Sequence, residues 1–141
     1  MVFLKNDQNR KLMNILYIHG FGSHFNKQSE KVLGLSEIGT VFGVDIDYTK
    51  TFPEIKRSIL QAVTDNDIDL LVGTSMGGFC SSVVGESLGI PFVAINPVLS
   101  PEQSLSKYIG EGVTFSGEPY TLNKKTLSSY PSFASNLFYL I

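Results

Sequence analysis

Five consecutive residues carry the first chemical signal in this sequence. Gly73-Thr74-Ser75-Met76-Gly77 matches G-x-S-x-G, and the apolar run Leu70-Leu71-Val72 leads into it. A serine hydroxyl becomes a useful nucleophile when a tight strand-to-helix bend lifts it clear of the backbone and donors wait for the charge it creates. Gly73 and Gly77 leave room for such a bend, and Gly78 allows the following helix to pack closely. The backbone N–H of Met76 would then lie at a helix start, aimed at a developing oxyanion. A second donor is expected from the stretch "ILYIHGFGS", where an apolar strand runs into His19-Gly20 and places Phe21 in the donor position. The chemistry these residues suit is nucleophilic attack by the serine hydroxyl, with backbone N–H groups holding the oxyanion that develops.

The elements that must position them alternate along the chain. "NILYI" (14–18), "VFGVDI" (41–46), "IDLLVG" (68–73) and "PFVAIN" (91–96) read as short apolar strands. Between them lie helices near 27–35, from Pro53 to Asp65, and from Met76 to about Leu88. From Pro97 to Ser135 the pattern loosens, with short helices expected around 102–108 and 122–129 and glycines 110, 112 and 117 between them. "NLFYLI" (136–141) reads as a fifth strand. The alternation predicts an α/β fold: a three-layer sandwich around a mainly parallel sheet of about five strands. Residues 13–141 form its single domain, and residues 1–12 read as a polar N-terminal extension. In such sheets ligands bind beyond the C-terminal strand ends, which are the loops at 19–25, 74–78 and 96–101.

On these motifs the sequence resembles the α/β-hydrolase superfamily, and within it the small YqiA-like esterases. The residues that carry the likeness are His19-Gly20-Phe21, Gly73 to Phe79, and Asn96-Pro97, with "SLSKYIG" and "YTL" further on. The resemblance covers about residues 13–141. It implies a minimal α/β-hydrolase fold and ester or thioester hydrolysis, with Ser75 as nucleophile and the Phe21 and Met76 N–H groups as oxyanion hole. His19, Gly20, Gly73, Gly77, Gly78 and Asn96 are expected to shape the pocket.

The resemblance also exposes a gap. The fold's chain order is nucleophile, acid, histidine, yet no histidine follows Ser75 and no aspartate follows Asp69. Three readings stay open: a reduced member that keeps the fold without the activity, a truncated gene product, or a chain with a substitute base. His24, in the loop that should border the pocket, is the candidate base. His19 is expected to be structural, its ring bonded to backbone. Asp45, Asp47 and Glu102 end or follow strands, and each also reads as an ordinary solvated carboxylate.

Bulk properties narrow the rest. The chain has 141 residues, 43% hydrophobic and 17% charged, which suits one folded domain. A net charge of −2 gives no electrostatic footprint for nucleic acid or an anionic membrane. No apolar run has membrane-spanning or signal-peptide length, so a cytoplasmic protein is expected. Cys80 is the only cysteine, and neither a metal-ligand cluster nor a phosphate loop is visible, so no metal or cofactor is expected. Gly20-Phe21-Gly22 meets two of three glycines of a dinucleotide fingerprint, but Phe25 stands where the third belongs. The alternative function is a non-catalytic module that binds a small molecule or protein, with a pocket lined by Phe21, Phe25, Tyr48, Met76 and Phe79. The expected partners are a small ester or acyl substrate and, through the apolar edge of 136–141, a second copy of the chain.

Overall fold

The structure is a computed structural model that describes residues 12–133. Four strands form a parallel sheet: β1 (Met13–Ile18), β2 (Gly39–Val44), β3 (Leu70–Thr74) and β4 (Phe92–Ile95), in the order β2-β1-β3-β4. Helices α1 (Glu30–Leu35), α2 (Phe52–Asn66) and α3 (Met76–Leu88) connect them. The register pairs Ile18 with Gly73 and Thr74 with Ile95. The loops that leave β1, β3 and β4 therefore emerge side by side. β1 sends its chain outward to β2 while β3 sends its chain the other way to β4. The gap between them is the switch point where such sheets bind ligands.

Strand alternation sorts the core into two layers. Leu16, Ile18 and Leu71 face α2 and α3, meeting Phe52, Ile55, Ile59, Met76, Phe79 and Val84. Ile15, Tyr17 and Val72 face the other way and pack with Val32 of α1. This is the mainly parallel three-layer arrangement expected. Strand bounds differ from the sequence reading by a residue or two at most ends. The expected fifth strand, its pairing edge and most of the N-terminal extension lie outside the described residues. Among the described residues no helix is long and apolar enough to cross a membrane.

The loosely patterned region differs most from expectation. The short helices appear as α4 (Pro101–Ser104) with a 3-10 turn at Ser106–Tyr108, and as α5 (Lys124–Leu127). Between them the glycine-rich stretch is an antiparallel hairpin, β5 (Gly110–Val113) with β6 (Pro119–Leu122). Its loop is closed by Gly117 N–H to Thr114 O at 3.0 Å and Thr114 N–H to Glu118 O at 2.8 Å. Gly117 takes φ +87°, the left-handed conformation that ends a three-residue hairpin loop.

Candidate active site

Ser75 occupies the bend between β3 and α3 with φ 58° and ψ −118°. A non-glycine residue there stores about 1–3 kcal/mol of strain, which the surrounding bonds must offset. They are present: Ser75 N–H donates to Ile95 O at 3.0 Å, and Ser75 O accepts from Gly78, Phe79 and Val98 N–H. Asn96, itself at φ 46°, turns the chain after β4 so that Val98 can make that bond. The glycines act through closeness. A Cβ on Gly73 would run into Gly77 O, and one on Gly77 into Ile18 O and His19 O. A Cβ on Gly78 would press on Pro97. Thus α3 starts in direct contact with the end of β1.

The loop after β1 borders the bend. A Cβ built on Gly20 would lie 3.8 Å from Ser75 Oγ. His19 is buried and fully used: its Nε2 accepts from Ile46 N–H at 2.8 Å. Nδ1 must then carry the proton, which it shares with Gly20 O at 2.7 Å. The His19 carbonyl accepts from the Tyr48 hydroxyl at 2.6 Å. Tyr17 and Thr74 hydroxyls, 2.7 Å apart, fasten the neighbouring strand ends. Among the described residues neither the Phe21 N–H nor the Met76 N–H has an acceptor, and Ser75 Oγ has no hydrogen-bond partner.

Burial lowers the pKa of His19, against smaller raising effects from the Gly20 carbonyl and the Asp45 charge. The unfolded chain, with histidine at about 6.5, therefore binds more protons than the folded one below that value. Stability is full above about pH 6.5 and declines as the pH falls towards the folded pKa. Urea midpoints are expected to hold between pH 8 and 7 and drop by pH 5. In His19→Asn that drop should shrink, and an unchanged pH dependence would exclude this source.

The Ser75 side chain opens into a cleft of about 600 Å³. Gly20, Phe21, His24, Met76, Val98 and Leu105 are among its lining residues, with His19 at its edge. His24 is exposed, and its ring makes no hydrogen bond among the described residues. The candidate acids lie elsewhere. Asp45 accepts from Phe25 N–H at 2.8 Å, and Asp47 accepts from both Thr49 N–H and the Thr49 hydroxyl. Both face a second groove on the other side of the Phe21 loop, and Glu102 faces a third, beside Tyr130. No carboxylate lines the Ser75 cleft among the described residues.

Of the five apolar residues expected in the pocket, Phe21 and Met76 line the Ser75 cleft. Phe79 is wholly buried in the core, Phe25 covers Gly43 on the α1 side, and Tyr48 is spent on His19. Sequence reasoning missed the aromatic clamp on Phe21. Tyr108 stacks on its ring with centroids 4.9 Å apart, and Tyr120 of β6 meets it edge-on at 5.4 Å. Phe115 N–H also donates to Gly22 O at 2.9 Å, joining the hairpin tip to the same loop. Only the Ser116-Gly117 pair in the hairpin loop signalled this element.

With this geometry in place, comparisons with known proteins give a consistent picture. The profile of the uncharacterised protein family UPF0227 matches residues 14–134. A UPF0227 protein of Yersinia pseudotuberculosis and another of Yersinia pestis are each 33% identical over 99 residues. The matched region is 65% of this chain and 54% of each relative, so it spans about half the length of those curated relatives. Among solved structures, one from work on the metagenome-derived lipolytic enzymes LipS and LipT superposes with TM-score 0.58 at 18% identity. That match covers 84% of this chain and 64% of the other. The esterase domain of a Rhodothermus marinus protein superposes with TM-score 0.52 at 19% identity, covering 85% and 57%. At these identities the structural likeness establishes the α/β-hydrolase fold.

Proposed function

We propose that this chain, which belongs to the uncharacterised protein family UPF0227, is a serine esterase or thioesterase that works through Ser75. The observation that carries the reading is the strained conformation of Ser75 beside two backbone N–H groups without acceptors, at the mouth of an open cleft. Strain of this kind persists where it serves a site.

In the proposed reaction Ser75 Oγ attacks the ester carbonyl while His24 takes its proton. The Oγ–C bond forms as the carbonyl electron pair moves onto oxygen, where Phe21 and Met76 N–H groups hold it. Collapse breaks the bond to the leaving alkoxide or thiolate, which takes the proton back from His24. Water then cleaves the acyl-serine by the same route. His24 is the base assigned because it lines the cleft with its ring unengaged, whereas both ring nitrogens of His19 are bonded to backbone. No carboxylate is available among the described lining residues to orient His24. Loss of the orienting carboxylate costs a triad enzyme about 10⁴ in kcat, so a slow enzyme is expected. The alternative, a binding module on a hydrolase fold, draws on that same missing carboxylate. Capture of Ser75 by a fluorophosphonate separates the two: the enzyme reading expects one adduct, absent in Ser75→Ala, and a binding module gives none.

A further inference from the structure

The charges around the Phe21 loop are sorted by sign. The Ser75 cleft is lined by Lys31 of α1, Lys107 beside Tyr108, and His24, with no aspartate or glutamate among its described residues. The groove across the loop holds Asp45, Asp47 and Glu118 and no basic residue. Neither Lys31 nor Lys107 has a carboxylate partner among the described residues. The Lys107 ammonium lies 5.3 Å from the Tyr108 ring centroid, and Tyr108 stacks on Phe21. That contact, a weak one at an exposed site, favours positions of the ammonium beside the Phe21–Tyr108 pair that lines the cleft. Apart from the two lysines and the histidines, the described lining is uncharged, with Met76, Val98 and Leu105 in it buried or half-buried.

We infer that the esters this cleft takes carry an anionic group, carboxylate or phosphate, held by Lys31 and Lys107 while the ester carbonyl lies at Ser75. The inference rests on the hydrolase reading of Ser75 and names the substrate class for it. A carboxylate or phosphate gains two unpaired ammonium groups and meets no like charge on the walls. An ester with a free ammonium gains nothing and faces both lysines. The acidic groove discourages the anion from settling on the wrong side of the Phe21 loop.

The two sources of anion are distinguished by probe. p-Nitrophenyl hemisuccinate carries a carboxylate on the acyl side, 4-acetoxyphenyl phosphate carries a phosphate on the leaving group, and p-nitrophenyl butyrate and phenyl acetate are their neutral counterparts. For at least one anionic probe kcat/KM is expected to exceed that of its neutral counterpart by about five- to tenfold at low salt, the range that two exposed charges supply. The preference should shrink as salt rises. In Lys31→Gln/Lys107→Gln the ratio should fall towards one, while Lys125→Gln, a charge lost outside the cleft, should keep it. Equal rates for charged and neutral probes, or a ratio untouched by the double substitution, would overturn the inference and leave the esterase reading standing. Should no probe be turned over, calorimetric titration of Ser75→Ala with monomethyl succinate and with dimethyl succinate decides the point. Saturable, salt-sensitive binding of the monoanion alone supports the anion site while the esterase reading fails. Equal binding of both, or of neither, overturns it.

Discussion

Gly77→Ala is expected to lower the stability of the fold by about 3 kcal/mol or more, against typical costs of about 1–3 kcal/mol for an added methyl in a packed interior. The reason is what the new carbon meets. It would collide with the carbonyl oxygens of Ile18 and His19, which are backbone atoms of β1 and its exit. A flexible side chain can swing away from a methyl group, but a strand paired on both sides cannot. β1 is bonded to β2 and β3 along its length, so the helix must retreat and the bend at Ser75 must open. Urea unfolding measures this directly through the shift in midpoint. Gly34→Ala is the control: nothing lies within 4 Å of its added carbon, and alanine is the better helix former by about 1 kcal/mol. A Gly77→Ala midpoint close to that of Gly34→Ala would mean that α3 does not rest on β1 as described.

The second large effect is kinetic. His24→Gln is expected to reduce kcat/KM for p-nitrophenyl butyrate by about 100-fold, the low end of what a general base contributes. The low end applies because nothing among the described lining residues fixes the ring. Glutamine keeps much of the size and polarity of histidine and cannot take the proton. His19 offers no substitute route, since a second proton on its ring would break the bond from Ile46 N–H. A rate within twofold of the unsubstituted chain would move the base to another residue.

What could be read from the sequence, and what could not, follows from the range of the interactions. The bend at Ser75 was legible because a local pattern encodes it: an apolar strand, small residues two places either side, and an apolar helix stripe after it. The inner strands β1 and β3 were legible for the same reason, each a mostly apolar run with buried residues on both faces, whereas the edge strand β2 is only half-buried. The hairpin was not. β5 holds two glycines in four residues, and Gly112 exists to let the Tyr120 ring lie over it, a contact between strands that no local pattern states. The clamp of Tyr108 and Tyr120 on Phe21 depends on the same docking. Asp45 looked available because it ends a strand. Its carboxylate is instead spent on Phe25 N–H, 20 residues back along the chain. Phe79 and Tyr48 do not line the Ser75 cleft because they fill the core, and Phe25 lies half-buried over Gly43 on the α1 side.

The most direct measurement is intact-mass spectrometry of the full chain exposed to a fluorophosphonate, followed by peptide mapping. The account predicts a single adduct on Ser75, formed slowly relative to a complete triad enzyme, near stoichiometric at the end point and absent from Ser75→Ala. A chain that takes up no adduct, or takes it up at another residue with Ser75 unmodified, would contradict the claim that this serine is a nucleophile.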